Sequence, residues 1–231
     1  MAFPETGNAY NPLPSLNPTH APPPSFDLIH RDESLIVVNK PTGLLAVPGR
    51  GADKQDCLAS RVQAEFPDAL VVHRLDMATS GLVVFARGAE MQRRLSEMFR
   101  ERDVEKRYVA VVAGKPEPAA GEVNLPIAAD WPNRPLRKID AESGKPSLTR
   151  YCLLAHDAGA DTSRVELEPV TGRTHQLRVH MAAIGHPILG DALYGGEVSG
   201  KAERLLLHAR TLNLAHPLSG EPLGLMCEAP F

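Results

Sequence analysis

A short polar segment between two apolar runs carries residue types that could do chemistry. His73, Arg74 and Asp76 are followed by two hydroxyl side chains and a glycine over residues 79–81. Loops held by a rigid sheet are common positions for catalytic side chains, and this one offers a carboxylate beside a guanidinium. Taken alone, an Arg-x-Asp triplet is more often an aspartate that caps a turn and an arginine that pairs with solvent. The segment therefore leaves both interpretations open.

A second candidate segment runs from Thr171 to Arg178 and opens a predicted helix. Arg173 and Arg178 have no acidic residue near them in the sequence, and the free backbone N–H groups at a helix start favour anions. A zinc site is disfavoured, because His175 and His180 are five residues apart. At that spacing they point about 140° apart on a helix, unlike the i, i+4 pair of zinc hydrolases. We expect no metal site here.

Two further stretches have weaker signals. Tyr108 follows Lys106 and Arg107 into a predicted strand, where a tyrosine is more often sheet packing than a catalytic group. Residues 131–150 hold five basic residues against two acidic ones, with Trp131 at one end. That composition is compatible with an RNA contact and equally with a solvated loop.

Composition limits the class of protein that could hold these segments. The 231 residues, 43% of them hydrophobic, suit one folded domain, and no apolar run is long enough to span a bilayer. Three distant cysteines and no visible secretory signal predict a cytoplasmic protein. A net charge of −3 argues against nonspecific coating of nucleic acid, although a local basic surface could still bind a few phosphates. Neither a GxxxxGK[ST] loop nor a strand-linked GxGxxG motif occurs, so we expect no nucleotide cofactor.

The elements that must position these residues begin after a proline-rich stretch. Seven of the 21 prolines lie within residues 1–24, and such a segment buries too little apolar surface to offset its ordering entropy. We therefore expect a disordered tail over residues 1–25 and one folded domain over 26–231. Strands and helices without regular β-α-β alternation indicate an α+β fold with a mostly antiparallel sheet. The predicted strands are 35–39, 70–72, 82–85, 108–112, 149–154, 164–168 and 205–214, and the predicted helices are 56–66, 89–102 and 173–184.

Four ordered motifs together resemble one known family. HRLDMATSG at residues 73–81 resembles the signature of the RluA family of pseudouridine synthases. The same family is matched by NKPTGLLAVPG at 39–49, KRYVAVV at 106–112 and GRTHQLRVHMAAIGHPILGD at 172–191. The resemblance runs from about residue 28 to 231. It implies a mixed, largely antiparallel sheet in two halves, flanked by helices, with the active site in a central cleft.

The resemblance also implies roles for individual residues. It makes Asp76 the nucleophile, Tyr108 the aromatic that stacks on the target base, and Arg173 the partner of Asp76. Such a reaction needs an ionised carboxylate, which a nearby guanidinium favours, and a base taken out of its stack. The positions expected to bind the substrate are Arg74, Leu177, His73 and Arg178. The reaction implied is isomerisation of uridine in RNA, with no metal, ATP or other cofactor.

Within the family, the chain looks most like the single-domain, dual-specificity form. That form modifies an anticodon-loop uridine of tRNA and a hairpin-loop uridine of 23S rRNA. We expect no S4 RNA-binding domain, because only the proline-rich stretch precedes the first predicted strand. A synthase that acts on one of these RNAs alone is the nearest alternative, and a noncatalytic RNA-binding protein is a more distant one. The mildly acidic composition suggests a monomer.

Overall fold

A computed structural model describes residues 26–231, and the predicted tail over residues 1–25 lies outside the described residues. The described part contains twelve strands, three α-helices and two short 3-10 turns. The strands are β1 Asp27–Arg31, β2 Leu35–Lys40, β3 Ala69–Val71, β4 Ser80–Arg87, β5 Glu105–Ala113, β6 Ala120–Asn124, β7 Ile127–Ala129, β8 Arg137–Ile139, β9 Leu148–Asp157, β10 Thr162–Pro169, β11 Leu207–Ala215 and β12 Pro222–Met226. The helices are α1 Leu58–Glu65, α2 Gly88–Glu101 and α3 Gln176–Ala183. None of these helices is long and apolar enough to cross a membrane.

Ten strands form one sheet, and two antiparallel halves meet at its centre. Its path is β1-β2-β4-β11-β5-β10-β9-β6, with β3 also paired to β4 and β12 to β11. The pairing of β4 with β11 is parallel and the other ladders of the sheet are antiparallel. Strands β7 and β8 form a separate hairpin. The expected α+β fold, with a mixed and largely antiparallel sheet in two halves, is confirmed.

Helices cover opposite faces of the first half. The apolar runs of β2 and β4 are buried on both sides, as expected for strands covered on both faces. Ile36 and Phe85 pack towards α1, whereas Leu35 and Val84 pack towards Leu95 of α2. In the second half, α3 packs on β5 and β10. The sheet is therefore a rigid support for the loops at the ends of its central strands.

Two predicted helix starts are wrong. The first helix begins at Leu58 rather than at residue 56, and Cys57 and Ser60 form a capping box at its start. The carboxylate of Asp56 accepts a hydrogen bond from Nε of Arg61 at 2.7 Å. The third helix begins at Gln176 rather than residue 173, because His175 has a left-handed backbone with φ of 58°. The stretch before α3 is therefore a loop that faces the cleft.

Gly81 permits the close approach of β4 to β11. Its φ is 115°, and a Cβ atom on this residue would lie 2.3 Å from the carbonyl oxygen of Ala209. These two residues are paired in the parallel ladder. Because only glycine fits, the glycine that ends the first sequence motif sets the spacing of the sheet where its two halves join.

Candidate active site

A cleft of about 560 Å³ lies where the two halves of the sheet meet. The loop that precedes β4 forms one wall, and the loop that leads into α3 forms another. The end of α2 and the side chain of Tyr108 on β5 complete it. The sequence motifs at 73–81, 106–112 and 172–178 thus reach one cavity, although they are distant in the chain.

Asp76 lies within this cleft and is paired by a cation on α3. Its side chain is 20% exposed, and its Oδ2 lies 3.5 Å from Nη1 of Arg178. Arg178 also donates from Nε and Nη2 to the two carboxylate oxygens of Asp191, at 2.8 and 2.6 Å. This two-pronged bond holds the guanidinium with one edge towards Asp76. The contact orients the carboxylate of Asp76 and leaves it open to the cavity.

The expected pairing of Asp76 with Arg173 is wrong. Arg173 is exposed, and its Nε donates to the carbonyl of Pro146 at 3.3 Å. Arg173 lies in the loop before α3, whereas Arg178 lies on α3, which turns it towards Asp76. Arg173 still lines the cleft, where it can meet a phosphate.

On the other side of Asp76 lies His175, which is hydrogen-bonded to Tyr194. Nε2 of His175 lies 3.9 Å from Oδ1 of Asp76, which is an electrostatic contact rather than a hydrogen bond. Nδ1 of the same ring is 2.7 Å from the hydroxyl of Tyr194. That hydroxyl also accepts from the backbone N–H of Arg137, at 2.9 Å. Burial lowers the pKa of His175, with Asp76 opposing the shift, so the neutral ring is favoured.

Tyr108 and Leu177 give the cleft an apolar side. Tyr108 is half-buried on β5, and Leu177 is buried while lining the same cavity. Burial raises the pKa of Tyr108, and the charge of Asp76 adds to that shift. Tyr108 is therefore a neutral phenol at physiological pH, suited to stacking on a base.

His73 lines the cleft, but its ring is used within the protein. Its Nε2 accepts from the backbone N–H of Val84 at 3.0 Å, and the ring stacks on Phe99 with centroids 4.4 Å apart. Burial, with Lys106 adding to it, lowers the pKa of His73 to about 3. The expected contact of His73 with substrate is thus disfavoured, and the residue instead joins its loop to β4 and α2.

Basic side chains dominate the cleft. Among the described residues that line it, Asp76 is the only carboxylate. Arg74 is exposed and makes no hydrogen bond or ion pair within the described chain. The lining cations are Arg74, Arg100, Arg102, Lys106, Arg173 and Arg178. Although the net charge of the protein is negative, the surface of the cleft is locally basic and suited to binding a polyanion.

Lys40, Asp191 and Tyr194 support the site and were not singled out by sequence reasoning. Lys40 is fully buried, and its Nζ donates to the carbonyls of Pro41, Leu44 and Met77 at 2.7–3.0 Å. It thereby joins the loop of Asp76 to the loop after β2. Burial lowers the pKa of Lys40 to about 7, and Asp76 opposes that shift. A signal was present, since Lys40 and Asp191 lie inside the quoted motifs.

The histidines considered for a metal are used in other contacts. His180 has Nδ1 at 2.9 Å from the hydroxyl of Thr149 and Nε2 at 2.9 Å from the carbonyl of Leu125. His186, a third histidine of the same motif, has its Nδ1 at 2.8 Å from the carbonyl of Ala113. Over residues 26–231, no three His, Cys, Asp or Glu side chains converge as metal ligands would.

Known proteins share this sequence and this fold. A family model described as RNA pseudouridylate synthase matches residues 34–183. The dual-specificity RNA pseudouridine synthase RluA of Escherichia coli (strain K12) is 49% identical over 209 residues, covering 90% of this chain and 95% of that protein. Its namesake in Yersinia pestis is 48% identical over 205 residues, covering 88% and 99%.

Solved structures agree with these matches. Human RNA pseudouridylate synthase domain containing 1 superposes with a TM-score of 0.74 at 32% identity, covering 90% of this chain and 84% of that one. Human RNA pseudouridylate synthase domain containing 4 gives a TM-score of 0.71 at 29% identity, covering 88% of each chain.

Proposed function

Because this chain belongs to the RluA family of RNA pseudouridine synthases, we propose that it isomerises uridine in two RNAs, a tRNA anticodon loop and a 23S rRNA hairpin loop. Membership of the family makes it an isomerase that converts uridine to pseudouridine in RNA. The dual substrate is supported by relatives from Escherichia coli and Yersinia pestis, which are named as dual-specificity enzymes and match nearly their whole length.

The proposal rests on the position of Asp76, which is the only carboxylate among the described residues that line a basic, partly apolar cleft. Asp76 is paired with Arg178 and open to a cavity that Tyr108 and Leu177 line. A protein that only bound RNA would gain nothing from a carboxylate facing a polyanion. This arrangement therefore favours catalysis over the noncatalytic alternative.

The geometry supports the following course of reaction. The target uridine leaves its stack and enters the cleft, where Tyr108 offers an aromatic face and Arg74 a cation beside the vacated position. A carboxylate oxygen of Asp76 attacks C1′ of the uridine, so that an Asp76–C1′ bond forms as the N1–C1′ bond breaks and the uracil leaves as an anion. The uracil turns within the pocket, and its C5 displaces the carboxylate, so that the C5–C1′ bond forms and Asp76 is released. C5 then loses its proton and N1 gains one. The atoms of the nucleotide are only rearranged, so no oxidant, ATP or metal is consumed.

Residue roles within this course follow from the contacts of each side chain. Arg178 orients Asp76, and Asp191 in turn orients Arg178. Arg74 and Arg173 are exposed at the cleft and bind the RNA backbone. Tyr108 is a neutral phenol in the free enzyme. Its role before the N1–C1′ bond breaks is therefore to stack on the target base, and not to act as a base in its deprotonated form. We further propose that the protein acts as a monomer in the cytoplasm.

A deletion strain tests the substrate assignment. Pseudouridine would be mapped in tRNA and 23S rRNA from cells that lack this protein and from cells in which it is restored. Loss at one anticodon-loop site and one 23S hairpin-loop site, with recovery on restoration, is the expected result. Loss in one RNA alone would leave a single-substrate synthase, and no loss in either would contradict the proposed substrates.

A further inference from the structure

The hairpin of β7 and β8, residues 127–139, lies outside the main sheet and exposes an aromatic residue at its tip. Trp131 is 66% exposed, the highest value for a large hydrophobic side chain in the described part of the chain. Its neighbours as far as Pro135 are also exposed. A tryptophan so placed adds nothing to the core, and tryptophan is one of the residue types enriched at binding interfaces.

The tip is ordered by its own contacts. Arg134 donates from Nε to the carbonyl of Trp131 at 3.2 Å, and its guanidinium carbon lies 4.5 Å from the centre of the indole ring. Asn133 donates to Asp130 at 3.0 Å, and the backbone N–H of Asp130 donates to the carbonyl of Leu136 at 3.1 Å. The indole is thus held with a cation over it rather than left free to rotate.

The base of this hairpin is joined to the catalytic carboxylate by three successive contacts. The backbone N–H of Arg137 donates to the hydroxyl of Tyr194, which is hydrogen-bonded to His175. His175 in turn faces Asp76 at 3.9 Å. An RNA whose target base occupies the cleft therefore has its neighbouring nucleotides within reach of the hairpin.

The charge of the hairpin suits a phosphate backbone. Arg134 is exposed and forms no ion pair with any carboxylate in residues 26–231, whereas Lys138 pairs with Asp140 at 3.0 Å. An arginine without an acidic partner beside an exposed aromatic residue is a combination with which proteins bind single-stranded nucleic acid.

We propose that Trp131 is a stacking platform for an unpaired base of the substrate RNA loop, outside the cleft that receives the target uridine. Arg134, which lies against the indole, contacts a phosphate beside that base. The proposal rests on the proposed function, since it names a second point at which the same RNA is held. It makes Trp131 a determinant of RNA affinity rather than a group that touches the reacting atoms.

Trp131 is the only tryptophan in the 231 residues, so its fluorescence reports on stacking without any label. The Asp76→Asn protein would be titrated with an unmodified tRNA anticodon stem-loop, while anisotropy of dye-labelled RNA measures binding independently. Quenching that tracks binding is expected. Replacing loop nucleotides one at a time with abasic sites should abolish the quench at one position while binding remains measurable.

Substitutions of Trp131 then show whether stacking on this residue affects RNA binding and turnover. Trp131→Ala should weaken RNA binding, measured as Kd and KM, by about tenfold with kcat little changed, and Trp131→Phe should restore most of the loss. Leu218→Ala is the matched control, because Leu218 is 60% exposed but lies in the turn between β11 and β12. It should leave Kd unchanged.

Several results would overturn the platform while leaving the proposed function intact. These are RNA binding without a quench, a quench that survives every abasic site, or a Trp131→Ala protein with unchanged Kd. Failure of the proposed function would look different, because the wild-type protein would then form no pseudouridine in either RNA.

Discussion

At the level of single residues, the contacts of two arginines show which of them orients the carboxylate of Asp76. Arg178 is buried and shared between Asp76 and Asp191, whereas Arg173 is exposed at the cleft. A buried guanidinium in a fixed two-pronged bond orients a carboxylate better than a mobile surface arginine can. Arg178 is therefore the positioning residue for the nucleophile.

Conservative substitutions separate the two arginines. Arg178→Lys keeps the charge but cannot bond both carboxylates, so kcat should fall by about 10²-fold with a smaller change in KM. Arg173→Lys is the matched control, and it should change KM by less than about fivefold and leave kcat near that of the wild type. Steady-state kinetics on a tRNA stem-loop measures both.

A larger loss of kcat in Arg173→Lys than in Arg178→Lys would restore the pairing expected from sequence. Arg178→Gln is a poorer probe, since it leaves Asp191 buried without its cation, a change that costs about 3–5 kcal/mol of stability in other proteins. Thermal unfolding would show whether a lost activity reflects such unfolding.

The sequence motifs identified the stretch that holds the arginine but not the side chain that faces Asp76. Arg173 and Arg178 are five residues apart, and the left-handed backbone of His175 starts α3 between them. Which arginine turns inwards depends on that local geometry and on Asp191, which becomes a neighbour only in the folded chain. Asp76 and Tyr108 were easier to place, because Tyr108 lies on the central strand β5 and Asp76 lies in the loop directly before β4.

At the scale of elements, a buried polar contact joins the two halves of the sheet. His208 on β11 has Nδ1 at 2.8 Å from the hydroxyl of Ser80 on β4, and Nε2 at 3.1 Å from the carbonyl of Cys227. The neutral ring satisfies both partners by accepting from Ser80 and donating to Cys227. Protonation at Nδ1 would break the first of these bonds.

This contact predicts acid sensitivity of the fold. Burial lowers the pKa of His208 to about 4, so the unfolded chain binds more protons than the folded chain between pH 4 and the unfolded pKa of about 6.5. The stabilisation is complete above that range and declines as pH falls through it. At pH 5 the loss attributable to His208 should be about 2 kcal/mol relative to pH 7.

Urea unfolding at pH 7 and pH 5 checks this for the wild type and His208→Gln. The variant should be less stable at pH 7 but should lose about 2 kcal/mol less between the two pH values. An equal loss in both proteins would show that His208 does not titrate in this window. His73, also buried and neutral, contributes to the remaining slope in both proteins alike.

Strands buried on both faces and helices with a strongly periodic apolar pattern were predictable from the sequence. Strands with little burial at the edges of the sheet were not. β2, β4 and α2 lie where their patterns predicted. β6 and β12 each bury only one residue, Val123 and Leu225 respectively, so they leave almost no periodic signal. Their positions depend on the strands they pair with.

At the scale of the whole molecule, the distribution of charge matters more than its sum. The net charge is −3, yet the described lining of the cleft holds six basic residues and one carboxylate. The small negative net charge repels RNA weakly at a distance, whereas the basic cleft attracts RNA locally.

The salt dependence of RNA affinity should report how many phosphates the basic cleft contacts. We expect log Kd for the stem-loop to rise linearly with log salt, with a slope of roughly 2–4, equivalent to about three to five phosphates. Arg74→Gln should reduce that slope by roughly 0.7–0.9, the share of one phosphate. Anisotropy titrations from low to physiological salt measure it, and a slope near zero would contradict binding through the basic cleft.

Release of tritium from C5 of uridine shows whether Asp76 performs the isomerisation. Purified protein would be incubated with a stem-loop whose uridines carry tritium at C5, because formation of the C5–C1′ bond sends that atom into water. We expect release by the wild type and a loss of at least about 10³-fold in Asp76→Asn, with RNA binding retained or slightly tighter because one negative charge is gone. Substantial release by Asp76→Asn, or none by the wild type on either RNA, would contradict it.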